Sequence, residues 1–111
     1  MIHYMKLQQS PFDAIKNGTK DIEMRLNDEK RQLIRIGDIV EFTNMSTGEI
    51  IKAKVINKHI FDSFDDLYKS FDKIRLGYKP NEIAKPSDMT QYYPQEEINQ
   101  NGVVGIEIEL I

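Results

Sequence analysis

Gly18-Thr19-Lys20-Asp21-Ile22-Glu23-Met24-Arg25-Leu26 decides how the rest of the chain is read. A short helix ends at Gly18 and a strand starts at Lys20. Along that strand the side chains alternate, so Ile22, Met24 and Leu26 make one apolar row. Glu23 and Arg25 stand on the opposite face, with Lys20 at its mouth. Three charges of mixed sign leaving a rigid strand just after a tight turn read as the floor of a binding cleft. The remaining segments read as its walls.

Upstream, Met1 to Leu7 alternates loosely and predicts a first strand with Met5 and Leu7 inward. Ser10-Pro11-Phe12-Asp13 is a helix start in which Ser10 caps, Pro11 takes the first helical position and Asp13 favours the positive end of the dipole. Phe12 and Ile15 give that helix a buried side, and Gly18 suits its left-handed C-terminal position. Downstream, residues 27–35 are polar and basic, either a loop with a helical turn or a flap. Gly37-Asp38 turns into a strand over Ile39–Thr43, and Ser46-Thr47-Gly48 is a hairpin signal. The return strand, from Glu49 to about Ile60, places Ile51, Ala53 and Val55 on one face and Lys52, Lys54 and Lys58 on the other.

Ser63-Phe64-Asp65-Asp66 opens a second long helical stretch, whose Phe64, Leu67, Tyr68 and Phe71 read as core at helical spacing. Leu76 to Pro80 breaks it. A helical piece is predicted over Ser87–Tyr92, and another from Pro94, as first helical residue, through Glu97. Asn101-Gly102 is a turn. After it Val104, Ile106, Ile108 and Leu110 alternate with Gly105, Glu107 and Glu109, a strand with one dry and one wet face. The fold class is therefore α+β, with about five to six strands in a small mixed barrel ringed by short helices. An open sheet is the competing architecture; closure would remove exposed edges.

A chain of 111 residues suits one domain, 1–111, with one hydrophobic core. Cysteine is absent, which removes disulfides, thiolate metal sites and thiol nucleophiles and is compatible with a cytoplasmic location. No apolar run approaches the roughly 18–20 residues of a membrane span, and no His, Asp and Glu spacing points to a metal or other cofactor. The net charge of −3 argues against non-specific coating of nucleic acid. Residues 1–58 carry ten Lys and Arg against eight Asp and Glu, net +2, whereas residues 59–111 carry five against ten, net −5. An anionic ligand belongs with the first half.

Pro11-Phe12, Ile15-Lys16 and then Gly18-x-Lys20-x-x-Glu23-x-Arg25 resemble the signature of the ASCH family, whose members share a PUA-like β-barrel. Asp28-x-Lys30-Arg31, Gly37-Asp38-x-Val40-x-Phe42, Gly77-Tyr78, Tyr92-Tyr93-Pro94 and Gly102-Val103-Val104-Gly105 follow in the family's order, so the likeness covers nearly the whole chain. The resemblance implies a cleft beside the Gly18–Arg25 turn that takes RNA or a nucleotide-like ligand. Some bacterial relatives are amidohydrolases that deacetylate N4-acetylcytidine with a lysine, a threonine and a glutamate. Lys20 falls at the lysine position, and Glu23 occupies that of the threonine nucleophile.

Each candidate has two readings. Lys20 either satisfies the last carbonyls of the preceding helix or supplies a point charge, base or nucleophile to a ligand. Glu23 and Arg25 are an ion pair, or they divide the work: Arg25 offers a planar fork to phosphate or a base edge, and Glu23 accepts from an exocyclic amine. Lys30 and Arg31 are a solvated basic loop or an extension of a polyanion track. Tyr78, Tyr92 and Tyr93 pack a wall or stack on bases. Three functions follow: a module binding RNA, a nucleotide or a modified nucleoside; a small hydrolase using Lys20 and Glu23; or an interaction domain with a vestigial cleft.

Overall fold

The computed structural model describes all 111 residues. Five strands, β1 (Ile2–Leu7), β2 (Ile22–Leu26), β3 (Ile39–Asn44), β4 (Ile50–Phe61) and β5 (Val103–Leu110), form one sheet in the order β1-β3-β4-β5-β2. Only the β1–β3 pair is parallel. The sheet curls into a half-barrel. Its two end strands, β1 and β2, do not pair, and a seam stays open between them. The α+β class and the PUA-like barrel curvature predicted from the sequence hold, with the backbone left unclosed between β1 and β2.

Six helices fill the connections: α1 (Gln9–Lys16), α2 (Glu29–Gln32), α3 (Phe64–Ser70), α4 (Lys73–Leu76), α5 (Ser87–Thr90) and α6 (Gln95–Asn101). Side chains of paired residues share a face, so the register sorts the core into two. On the inner face Met5, Phe42, Val40, Ala53, Val55, Val104, Ile106 and Ile108 pack with Phe12 and Ile15 of α1 and with Ile34. On the outer face of β2 and β5, Ile22, Met24, Leu26 and Val103 pack with Phe64, Leu67, Leu76 and Ile98 from the helices. The apolar row of β2 therefore points out of the barrel into a helical layer. Its charged row, Glu23 opposite Ile106 and Arg25 opposite Val104, points in.

That second core corrects the reading of β5, whose Gly105 side is dry as well. A Cβ at Gly105 would stand 3.1 Å from Ile22 Cγ2 and 3.6 Å from both Leu67 Cδ1 and Phe71 Cε2. Gly105→Val is therefore expected to destabilise by about 1–3 kcal/mol through overpacking. Urea unfolding should show a lower midpoint at an unchanged slope.

Three local readings also change. The α1 helix begins a residue before the expected cap: Gln8 is the N-cap and has no side-chain cap bond, so Ser10 lies inside the first turn. Pro11 is tolerated there because the first four N–H groups of a helix have no internal partner, and Asp13 lies beyond the first turn, where its carboxylate accepts from Gln9 Nε2. In β4 the register shifts between Val55 and Asn57. The extra residue moves Lys58 off the face of Lys52 and Lys54 and opposite Ile106, where its Nζ donates to the Arg31 carbonyl at 3.1 Å. Pro94 caps α6 rather than opening it, and that helix runs on to Asn101 because Ile98 is buried in the outer core. Among the expectations that hold, Ser63 caps α3 by accepting from the Asp66 N–H at 3.2 Å.

Candidate functional site

Lys20 is placed by the end of one helix and the start of another. Its N–H closes α1 by donating to the Ala14 carbonyl at 3.0 Å, just after Gly18 turns the chain at φ +86. Next to it, Asp21 accepts from Arg75 Nε at 2.8 Å and from Nη2 at 3.2 Å, and the Asp21 N–H donates to the Arg75 carbonyl at 3.1 Å. These bonds hold α4 against the start of β2 and bring Leu76 and Gly77 over Lys20.

The Lys20 ammonium is buried and fully engaged. Nζ donates to the Ile22 and Leu76 carbonyls, each at 2.7 Å, and lies 3.4 Å from Glu23 Oε1. Three acceptors around one nitrogen suit an ammonium, which has three donors, better than a neutral amine, which has two. Burial nevertheless lowers its pKa, with the Glu23 carboxylate pulling the other way. The lysine stem also explains Gly77, which sits at φ +109 with a hypothetical Cβ only 3.0 Å from Lys20 Cδ.

Glu23 lies between the two cations. Its Oε2 accepts from Arg25 Nε at 2.8 Å. Burial alone would push the carboxyl up, but Arg25 and Lys20 together hold it below the usual carboxylate range. Arg25 is raised: burial opposes its charge, and Glu23 and Tyr93 together outweigh burial. Arg25 also spans the seam, donating from Nη2 to the Lys6 carbonyl of β1 at 3.1 Å. A side chain thus bridges the gap that the backbone leaves open. The side chains of Lys20, Glu23 and Arg25 are 3%, 6% and 15% exposed, so the charged row lies in a sheltered hollow.

The hollow is a pocket of about 520 Å³ along the seam. Lys20, Glu23 and Arg25 form its floor, Lys6 and Gln8 one rim, and Tyr68, Tyr78, Tyr92 and Tyr93 the facing wall, with Met24, Met45 and Met89 between. In that wall the Tyr68 and Tyr78 hydroxyls meet at 2.8 Å, and Tyr78 donates to Asp88 Oδ2 at 2.7 Å. Burial pushes the Tyr93 phenol up, while Arg25 and Arg31 pull it down.

Of the residues singled out from sequence, Lys20, Glu23, Arg25, Tyr78, Tyr92 and Tyr93 line this one pocket. Lys30 and Arg31 do not. Lys30 is exposed on α2, and Arg31 is folded back onto Asp28, with Nη1 to Oδ2 at 2.9 Å and a buried Nε that has no partner. The sequence reading missed Tyr68, taken for core on its helical spacing, and Lys6, taken for an ordinary outward strand residue. It also missed Met24, assigned wholly to the buried row, because β2 is an end strand whose free edge opens onto the seam. No group of three or more His, Asp or Glu is gathered where it could hold a metal ion. No helix is long and apolar enough to cross a membrane.

A family model for the ASCH domain matches residues 5–111. The chain belongs to the ASCH family. Among solved structures, this ASCH domain is similar to the hypothetical protein PH0355, at 33% identity and TM-score 0.84 over 100% of both chains. It is also similar to protein PF0455 from Pyrococcus furiosus, at 30% identity and TM-score 0.76 over 100% of this chain and 98% of that one. The ASCH protein of Zymomonas mobilis shares the fold at 12% identity, with TM-score 0.70 over 97% of this chain and 66% of that one. No curated protein matches.

Proposed function

We propose that this ASCH domain binds RNA or a free nucleotide or modified nucleoside, one base entering the seam pocket. The observation that carries the reading is the meeting, in one pocket, of a buried Lys20–Glu23–Arg25 floor with a wall of tyrosines and methionines. Unstacked bases are gripped in this way, their faces against aromatic rings and their edges against fixed donors and acceptors. A volume of about 520 Å³ is of the size that takes a small-molecule ligand. Glu23, held ionised, accepts from an exocyclic amine such as that of cytosine. Arg25 and Lys6 supply donors to a carbonyl or phosphate.

Titration calorimetry with cytidine and adenosine monophosphates and a short single-stranded RNA tests this. Binding is expected to weaken as salt rises. Arg25→Ala is expected to reduce affinity by at least about tenfold, roughly 1.4 kcal/mol. A wild-type protein that binds none of these at millimolar concentration overturns the reading.

Hydrolysis of an acylated nucleoside by Lys20 and Glu23 is the second reading, favoured by the 3.4 Å approach of the two groups and by the lowered lysine pKa. It is the weaker one, because a carboxylate held below its usual range is a poor proton acceptor at neutral pH. Release of free amine from N4-acetylcytidine, lost in Lys20→Ala, would make it the better.

A further inference from the structure

The wall of the pocket is built unlike its floor. Residues 77–97 contain no buried residue, although they follow the buried Leu76 and precede the buried Ile98. From Lys79 to Glu97 every backbone hydrogen bond is local: Glu82 to Lys79, Asp88 to Lys85, Met89 to Pro86, Tyr92 and Tyr93 to Met89, and Glu97 to Pro94. No backbone bond joins this stretch to the sheet. Segments with few buried contacts and no ladder bonds open at a small fraction of the global unfolding free energy.

Side chains hold the segment shut, and they are those of the pocket. Tyr78 has one proton and two acceptors nearby, Asp88 Oδ2 at 2.7 Å and the Lys85 carbonyl at 3.3 Å. It gives that proton to Asp88, so at its 2.8 Å contact with Tyr68 it accepts. The run Tyr68 to Tyr78 to Asp88 thus starts on α3, which buries Phe64 and Leu67 in the outer core, and ends on α5, which buries no residue and touches that core only through the half-buried Met89. At one end of the stretch, Lys73 Nζ reaches the Pro80 and Glu82 carbonyls at 3.0 and 2.6 Å. At the other, Tyr93 stacks on Phe64 with centroids 6.0 Å apart.

The ends of the stretch are suited to bending. Gly77 has φ +109, and Pro94 is extended at φ −61, ψ 144 immediately before α6. The Leu76 carbonyl, at the first of these ends, is one of the two that hold the Lys20 ammonium. The Lys20–Leu76 bond thus ties the pocket floor to the hinge.

We propose that residues 78–93 are a lid over the pocket, hinged at Gly77 and Pro94 and latched by the Tyr68–Tyr78–Asp88 run, and that a nucleotide on the floor holds it closed. The latch stands on the unliganded structure; the closing step rests on the nucleotide reading above.

Hydrogen–deuterium exchange of the full chain, followed by mass spectrometry, separates the two. Peptides covering 79–93 are expected to exchange faster than those of β3, β4 and β5. Tyr68→Phe removes one latch bond and Tyr78→Phe removes two. Exchange of 79–93 should rise by about 2- to 10-fold per bond lost, the equivalent of one net hydrogen bond, with the strands unchanged. Cytidine monophosphate at saturation should slow the same peptides in the wild type. Equal exchange of 79–93 in wild type and both variants overturns the latch, as does acceleration shared by the strands. Ligand binding seen by calorimetry without slower exchange overturns the closing step alone. Failure of any nucleotide to bind overturns the closing step together with the parent reading, while the comparison of unliganded variants still decides the latch.

Discussion

Glu23→Ala is expected to lower the unfolding free energy by about 3–5 kcal/mol, the cost of removing one partner from a buried charge pair. The magnitude follows from what remains behind rather than from the bonds removed. Lys20 and Arg25 would be left as two like charges in a hollow that excludes water, and the inner-face position opposite Ile106 would be empty. Glu23→Gln tests the same point without a cavity. Its amide keeps the shape and can accept from Arg25 Nε, yet the compensating charge is lost. Thermal and urea melts of both variants at neutral pH check the ordering, with Ala below Gln and both well below wild type.

The two variants also make a pH experiment interpretable. Arg25 and Lys20 depress Glu23 below its ordinary value near 4.5, against the opposing push of burial. In the unfolded chain the carboxyl returns to that ordinary value and binds a proton first as pH falls. The stability that Glu23 contributes is therefore complete above about 4.5 and is lost as pH drops through its lower folded pKa. The wild type should lose stability steeply in this acid window. Glu23→Gln, with nothing to titrate at the site, should show a shallower slope there. Equal slopes would mean that the charge of Glu23 is not what holds the floor together.

The legibility of these features in the sequence varies with their physical origin. The β2 strand was readable because a period of two is a local property: Ile22, Met24 and Leu26 had to share a face, and Glu23 and Arg25 the other. Which face is the inside of a half-barrel is not local. It depends on α3, α4 and α6 arriving from distant parts of the sequence to cover the apolar row. The same helices dry the Gly105 side of β5, where alternation alone predicts water. Lys58 was misplaced because nothing in Val55-Ile56-Asn57 announces an extra residue in the ladder. The charged floor was legible, since Lys20, Glu23 and Arg25 lie within six residues of one another. The aromatic wall was only half so. Tyr78 and Tyr93 stood out beside glycine and proline, but Tyr68 sits at a spacing that fits a core position equally well. Whether Lys30 and Arg31 approach a ligand depends on how α2 folds, and Asp28 takes Arg31 for itself. The open seam belongs to the strand order, which pairing partners set and composition does not.

Lys20→Met is the second large effect, and its cause differs from that of Glu23→Ala. Methionine fills the channel beside Gly77 but offers no donor. The Ile22 and Leu76 carbonyls would lose the bonds they share at 2.7 Å, and each buried acceptor left unpaired costs about 1–3 kcal/mol. A total of about 2–5 kcal/mol is expected, read as a lower urea midpoint. If the lysine acted through its charge alone, Lys20→Met/Glu23→Gln would recover most of this loss, because the carboxylate's excess partner and the carboxylate itself would vanish together. The two carbonyls make the opposite case, since they stay unpaired in the double variant. The expected result lies between: the double variant is less stable than either single one, yet more stable than the sum predicts, with a coupling of about 0.5–3 kcal/mol. Full additivity would assign Lys20 to the backbone of α4 and leave Arg25 as the only cation that Glu23 answers. Complete recovery would make the lysine a pure counter-charge, and its carbonyl contacts incidental to the fold.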